Sequence, residues 1–494
     1  MAEILSGGLA FFKWSPSRSD ISYSIRALPE WSERFEVPDV VGFGDFVLAA
    51  DEVAKRYRSQ ATQPDPLGFF LYPKGNGGFR RLCIPSVKDI VLTRAAVGYT
   101  AIACERALSE MPVYSARLAR GVPDWRFRAE PYSRFRKDAA RSAKRWSCEL
   151  MVRTDVKDYY PSIPVGQLAQ DLMRMGCRYG PTAFFLERVL HWQRYSGLRG
   201  LPVGPESSHV PGTVFLKPVD VAMMRATDGY FRYTDDIVYF VADRRAGDLL
   251  DKLDENLAER GLRRGIDKTE VHHDPAAALE AIERRLFASL SNGLSSGSPL
   301  AMGAVKREFV HDVVEGLGNV RDFRWYIRVF LNRGDAFAMR WLTEDWTRFN
   351  IDPRVSADYM SRCGLADSEV VGRAIDMLGM PSNTEMAGVD LHLLRVFRQL
   401  SMGVEEMRTF ERVANDVTRP SQVRCWAWSA ASNSAGFDVE AAVEAAAEEG
   451  DPAIRRGIVL SMRGKSSRSR KWALRDIARK HPETAPACAW ALAA

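Results

Sequence analysis

Strand signals in this chain are concentrated in its first 300 residues, where short apolar runs alternate with turn residues and helix starts. Residues 230–233 (Tyr-Phe-Arg-Tyr) and 237–241 (Ile-Val-Tyr-Phe-Val) are aromatic and β-branched, so they predict two strands of a hairpin that turns at Thr234-Asp235-Asp236. Residues 149–155 (Glu-Leu-Met-Val-Arg-Thr-Asp) predict a strand that ends in Asp155. Residues 71–94 (LYPKGNGGFRRLCIPSVKDIVLTR) predict a hairpin turning at Gly75-Asn76-Gly77-Gly78, then a helix N-capped by Ser86 with Asp89 three residues on. The Gly/Pro-rich stretch Gly200–Ser208 reads as a loop entering a helix over the apolar run Val210–Val219.

After about residue 300 the strand signals fade and helical spacing takes over, as in Phe323, Tyr326, Ile327, Phe330 and Leu331. Residues 437–449 favour helix by composition alone. Two segments look alike, Arg419-Pro420-Ser421-Gln422-Val423-Arg424 and Asp451-Pro452-Ala453-Ile454-Arg455. Each has Pro, an apolar residue, Arg and then an apolar helix, and Arg424 and Arg455 stand 31 residues apart. That period fits a helical-hairpin repeat, with Asp352-Pro353-Arg354-Val355 as a degenerate third copy. A HEAT-like α-solenoid is therefore expected, with a generic helical bundle as the alternative, and the fold class is α+β.

The candidate chemistry lies in the first half. Paired acids at a rigid hairpin tip suit divalent metal, and a third carboxylate at a neighbouring strand end can complete a two-metal site. Asp158 is either a further ligand or a solvated or helix-capping acid. In Gly265-Ile266-Asp267-Lys268-Thr269-Glu270, Lys268 is placed to protonate a leaving pyrophosphate. Lys74 and Arg80 flank the 75–78 turn, where basic groups can fold over a triphosphate. Residues 115–145 hold ten basic residues: Arg117, Arg120, Arg126, Arg128, Arg134, Arg136, Lys137, Arg141, Lys144 and Arg145. They face three acids, with Trp125, Phe127, Tyr132 and Phe135 interleaved. That pattern reads as a nucleic-acid track, or else as a solvated basic helix face.

Taken in order, these segments resemble the fingers and palm of a reverse transcriptase over roughly residues 65–275. The matching set is a fingers Arg-x-Leu-x-Ile-Pro, Asp155-x-x-Asp158-Tyr-Tyr-Pro-Ser-Ile, Leu-Pro-x-Gly, Tyr-x-Asp-Asp and Lys-Thr-Glu. The resemblance implies a right-hand polymerase in residues 1–275, a thumb-like helical segment in 276–320 and the repeat-like helical domain in 321–494. It implies that Asp155, Asp235 and Asp236 hold two Mg2+ ions, with Mn2+ able to substitute, and that Lys268 acts beside them. Lys74, Arg80, Val156, Val203 and Gly204 then contact the incoming dNTP. Tyr160, five residues after Asp155, is implied as a steric gate against ribose, or else is a palm-core aromatic. Tyr-x-Asp-Asp favours DNA synthesis over the Gly-Asp-Asp usual in RNA-dependent RNA polymerases.

No Cys/His endonuclease motif follows the palm, and the chain lacks the Val-Thr-Gly of retron enzymes. A compact palm with a long helical tail is similar to the bacterial defence-associated, abortive-infection group. The expected activity is thus addition of deoxynucleotides to a 3′-hydroxyl, or to a protein or RNA primer, in antiphage defence. Alternatives are a mobile-element enzyme of retron or group II intron type, or a catalytically silent nucleic-acid-binding scaffold. Expected partners are an RNA template or non-coding RNA, product DNA, dNTPs and a second copy of the chain, with no membrane.

Composition adds bounds. With 494 residues the chain has room for two or three domains, and 69 basic against 63 acidic residues leave a net charge of only +6. The charge therefore says less than its clustering. Seven scattered cysteines suggest neither a disulfide framework nor a zinc site, and fit a reducing cytoplasm. No apolar run reaches ~18 residues, and Met1–Trp14 lacks the basic start and apolar core of a signal peptide.

Overall fold

The computed structural model describes residues 14–74, 78–115, 117–118, 125–126, 130–145, 149–241, 246–275, 294, 299–316, 320–465 and 469–493. By compactness the chain divides into two units that interleave along the sequence. One comprises Met1–Ser24, Ala54–Gly68 and Cys83–Ala288, the other Ile25–Val53, Phe69–Leu82 and Ser289–Ala494. Strands β1 (Gly68–Pro73) and β2 (Phe79–Ile84) form the expected hairpin, which Lys74 N–H closes on the Gly78 carbonyl at 2.8 Å. Of that hairpin's turn, residues 75–77 lie outside the described residues.

In the first unit, Ser86 caps the helix α1 (Val87–Leu108) by accepting the Asp89 N–H, as the Ser-x-x-Asp spacing predicts. Asp89 is itself fully buried and accepts from Arg188 Nε at 3.3 Å, so the residue that Ser86 caps also fixes a second helix, Tyr179–Tyr195. A short ladder joins β3 (Arg117–Leu118) to β4 (Trp125–Arg126). The main sheet then has the order β6-β7-β5-β8, antiparallel throughout, from β5 (Leu150–Thr154), β6 (Gly229–Tyr233), β7 (Asp236–Val241) and β8 (Glu270–His272).

Both faces of the central strands are covered, which explains why β7 reads as a continuous apolar run and not an alternating one. On one face Val238 and Phe240 join Met151 and Phe231 against Phe135 and Ala139 of helix α2 (Glu130–Arg145). Burying each such aromatic contributes on the order of 2–3 kcal/mol. Phe135 is therefore core and cannot stack on a base, unlike its reading as one of the interleaved track aromatics. The opposite face of α2 carries exposed Arg134 and Arg141, both paired with Asp138. The run Val210–Val219 is two helices, α3 (His209–Phe215) and α4 (Lys217–Ala226), broken at Leu216. Pro218 in the first turn of α4 has no N–H to continue the first helix.

The second unit ties early residues to late ones. Arg456 donates to Asp39 at 2.6 Å and to Asp45 at 2.6 Å and 2.8 Å. Trp490 packs on Gly44, where a Cβ would stand 2.9 Å from the indole. Tyr72 Oη and His392 Nε2 are 3.2 Å apart, both buried. Its helices include α5 (Pro353–Tyr359), α6 (Val404–Asn415), α7 (Ser421–Ser432), α8 (Val439–Glu448), α9 (Pro452–Ser461) and α10 (Arg470–Lys480). Helix α7 packs between α6 and α9, and α8 packs on α9. The repeated Arg has a repeated job. Arg424 donates to the Ala414 carbonyl at the end of α6 and reaches Glu449, while Arg455 donates to the Glu449 carbonyl after α8 and reaches Glu483. Each guanidinium thus caps the preceding helix and tethers a later acid. Asp352 and Asp451 both N-cap helices that begin with Pro. Of the expected thumb segment 276–320, only residues 294, 299–316 and 320 are described, with helix over Pro299–Phe309.

Candidate active site

Sheet register brings the three acids together. Thr154 of β5 pairs with Ile237 of β7, and Tyr233 of β6 pairs with Asp236 across a two-residue turn. Asp155, one residue past β5, therefore lies beside the start of β7, and the Val156 N–H donates to the Asp235 carbonyl at 3.2 Å. Thr234 turns the chain with φ of 57°, a left-handed conformation that a β-branched residue adopts only when its surroundings impose it. Asp235 is the turn's second residue and Asp236 the first of β7.

The electrostatics fit a cation site. Burial, then the charges of Asp236 and Asp155, push the Asp235 carboxyl up to about 6. Burial raises Asp236 as well, with Arg153 opposing and Asp155 adding to the shift. Asp155 is 6% exposed, and its Oδ1 is buried with no hydrogen-bond partner among the described residues. Its other oxygen accepts from Lys268 Nζ. Partial burial lowers the Lys268 ammonium, but its hydrogen bond to Asp155 and the nearby carboxylates carry it above its ordinary value. Mutual repulsion between these carboxylates and the orphaned buried lone pair on Asp155 are both features that a divalent cation would relieve. Asp158 is exposed, sits at φ of 44° before the short helix Tyr159–Ser162 and caps nothing with its side chain, as its solvated reading expects.

Lys268 is held by a turn that the sequence did not flag. The Gly265 N–H donates to the Asp155 carbonyl at 2.8 Å, and Ile266–Lys268 form one turn of 3-10 helix. Thr269 Oγ1 meets Thr154 Oγ1 at 2.9 Å and accepts from Arg264, which forks onto Asp254 at 2.8 Å through both arms. Gly265 is needed for space, since a Cβ there would stand 2.0 Å from Asp155 Oδ1.

Tyr160 packs against α3, where a Cβ on Gly212 would lie 2.8 Å from its ring, and its hydroxyl meets His209 Nδ1 at 2.9 Å. Burial holds His209 down to about 4, so it is neutral at physiological pH. The Gly200–Ser208 loop packs directly on this segment. Leu201 N–H donates to the Tyr160 carbonyl at 2.8 Å, and Gly200, at φ of 56°, lies so close that a Cβ would be 2.1 Å from the same oxygen. The Val203 carbonyl accepts the Cys83 N–H at 2.8 Å, and Gly204 has φ of 110°.

A buried cluster absent from the sequence reading lies under the acid turn. Arg232 and Asp220 are both 0% exposed, and Arg232 grips Asp220 through two 2.6 Å bonds. The sequence shows only an arginine set between aromatics in a strand, and the structure reveals its burial. Lys74 and Arg80 lie at the two sides of the β1–β2 turn, with Arg80 paired to Glu36 at 3.2 Å. Of the expected nucleic-acid residues, Arg120 and Arg128 lie outside the described residues, Arg117 and Arg126 fall in the short ladder, and Arg134 and Arg136 are on α2.

Residues 72–308 match the family model described as reverse transcriptase (RNA-dependent DNA polymerase). No curated protein matches the chain in sequence. A solved structure of telomerase from Candida albicans, in complex with the TWJ fragment of telomeric RNA, overlaps 77% of this chain and 70% of its own at 11% identity, with a TM-score of 0.31. The family match covers β2 with the end of β1, the hairpin of β6 and β7, the strand leading to Asp155 and the turn carrying Lys268. The chain therefore carries a reverse transcriptase domain with its fingers and palm, and is a nucleotidyltransferase.

Proposed function

We propose that the protein is a DNA polymerase of reverse transcriptase type that extends a 3′-hydroxyl, or a protein or RNA primer, in bacterial antiphage defence. The observation that carries the polymerase reading is that Asp155, Asp235 and Asp236 lie at the same end of the central strands β5 and β7, with a buried Asp155 oxygen that has no hydrogen-bond partner among the described residues. Asp155, Asp235 and Asp236 would hold the divalent ions, which supply activation of the 3′-hydroxyl and neutralise charge on the departing pyrophosphate. The chain's own residues do the rest. Lys268, already bonded to Asp155, is the proton donor to pyrophosphate. Tyr160, fixed by His209 and α3, bars a 2′-hydroxyl. Val156, Val203 and Gly204 line the incoming nucleotide, and Lys74 and Arg80 neutralise its triphosphate, on the strength of the sequence resemblance. Arg134 and Arg136 on α2, with Arg117, Arg120, Arg126 and Arg128, contact nucleic acid phosphates.

The defence assignment rests on the resemblance of a compact palm with a long helical tail to the abortive-infection group. The capping and tethering repeated by Arg424 and Arg455 supports a HEAT-like stack for that tail. No helix among the described residues is long and apolar enough to cross a membrane.

The test is labelled dNTP incorporation by purified protein with Mg2+, with and without added template and primer, beside the Asp235→Asn/Asp236→Asn double variant. Product from the unsubstituted protein alone is expected. Product from both would sink the assignment of the acids. Tyr160→Ala should raise ribonucleotide incorporation relative to deoxynucleotide by about 10²-fold. Unchanged discrimination in competition assays would return Tyr160 to a core aromatic.

A further inference from the structure

We infer that the buried Arg232–Asp220 pair is the positioning element of the metal turn, locking Asp235 relative to the helix that seats Tyr160. The inference rests on the polymerase reading for the role of Asp235. Its geometry stands independently.

Arg232 is on β6, two residues before the turn, and its side chain is shut off from solvent. Its guanidinium makes four hydrogen bonds. Nε and Nη2 each donate to Asp220 of α4 at 2.6 Å. Nη1 donates to the Thr234 carbonyl at 2.6 Å, and Nη2 also donates to the Thr213 carbonyl of α3 at 2.9 Å. Thr234 is the left-handed residue whose conformation aims Asp235, so the bond falls on the peptide that joins them. Thr213 follows Gly212, the residue against which the Tyr160 ring packs and whose carbonyl accepts from the Tyr159 hydroxyl. One planar group thus spans the acid turn, α3 and α4.

The surrounding bonds are those of a fixed strut. Tyr230 donates its hydroxyl to Asp220 at 2.7 Å. The Arg232 backbone is clamped as well, its N–H donating to the Pro112 carbonyl at 3.1 Å and its carbonyl accepting from Tyr114 at 2.9 Å. A buried ion pair seldom stabilises a fold more than well-packed apolar residues of similar size would. Fold stability alone therefore does not account for a charge here. What a guanidinium offers, and an apolar residue does not, is a rigid planar fork that holds two carbonyls and a carboxylate at set positions. Lysine keeps the charge but loses the fork.

Arg232→Lys and Tyr230→Phe separate these roles. The direct readout is Mn2+ affinity of the full chain, from loss of the free-ion electron paramagnetic resonance signal. Incorporation rate, Mg2+ half-saturation and dNTP KM are measured in parallel, with melting curves to count folded protein. In Arg232→Lys, Mn2+ affinity should fall about tenfold and the rate up to about 10²-fold, the scale expected when a reacting group is displaced by about 1 Å. Tyr230→Phe, which leaves the ion pair and removes one bond to Asp220, should show a smaller shift of the same sign. The dNTP KM should change little in either. If Arg232→Lys does not fold, Tyr230→Phe carries the test. A purely structural pair would lower melting temperature and leave metal affinity per folded molecule unchanged, and that result overturns the inference. Unsubstituted protein that binds Mn2+ but incorporates nothing would instead sink the polymerase reading, while a Mn2+ shift in the variants would still support the strut.

Discussion

Asp235→Asn is expected to abolish nucleotide incorporation while raising the melting temperature of the metal-free protein. The two effects have one cause. Asp235 is buried next to Asp236 and near Asp155, and this crowding pushes its carboxyl up to about 6. At neutral pH the folded chain therefore holds repelling, poorly solvated charges that a neutral isostere would relieve. Removing a ligand carboxylate removes several kcal/mol of transition-state charge stabilisation, a loss of at least about 10³-fold in rate. Melting curves with and without Mg2+ give the check. The unsubstituted protein should gain stability on adding Mg2+ and the variant should gain little, since only a binding-competent site is stabilised by mass action. An Asp235→Asn protein that retains activity would defeat the assignment.

Gly265→Ala is the second large effect, and it should strike activity while sparing the fold. The new methyl would stand 2.0 Å from Asp155 Oδ1. That atom ends a side chain, which can rotate away at modest cost, so the loss in melting temperature should be small. The rotation carries a metal ligand out of place and should cost about 10²-fold or more in incorporation. Gly200→Ala provides the contrast. There the Cβ would meet the backbone of Tyr160 and Pro161 at 2.1 Å and 2.6 Å, from a residue at φ of 56°. Backbone cannot rotate aside, so Gly200→Ala should destabilise by ~2 kcal/mol or more. Thermal melts beside single-turnover rates distinguish the two. Gly265→Ala with normal rates would show that Asp155 tolerates displacement.

Local chemistry wrote much of this protein into its sequence. The 230–241 hairpin, the strand ending at Asp155, the Ser86 cap and the helical second half follow from turn residues, β-branching and periodicity, which act over a few neighbours. The three acids were legible because their spacing needs only one hairpin and one strand end. Other features needed contacts across tens or hundreds of residues. Register alone decides that Asp155 meets β7, and burial alone turns Phe135 from a track aromatic into core. The Arg232–Asp220 strut was invisible because a buried arginine in a strand looks like any other until its carboxylate arrives from another helix. The joining of residues 25–53 and 69–82 to the C-terminal helices was equally hidden, since it depends on pairs such as Arg456 with Asp39 and Tyr72 with His392. Short-range propensity sets which elements form. Where a charge is buried, and which carboxylates share a site, is set by packing between elements distant in the chain.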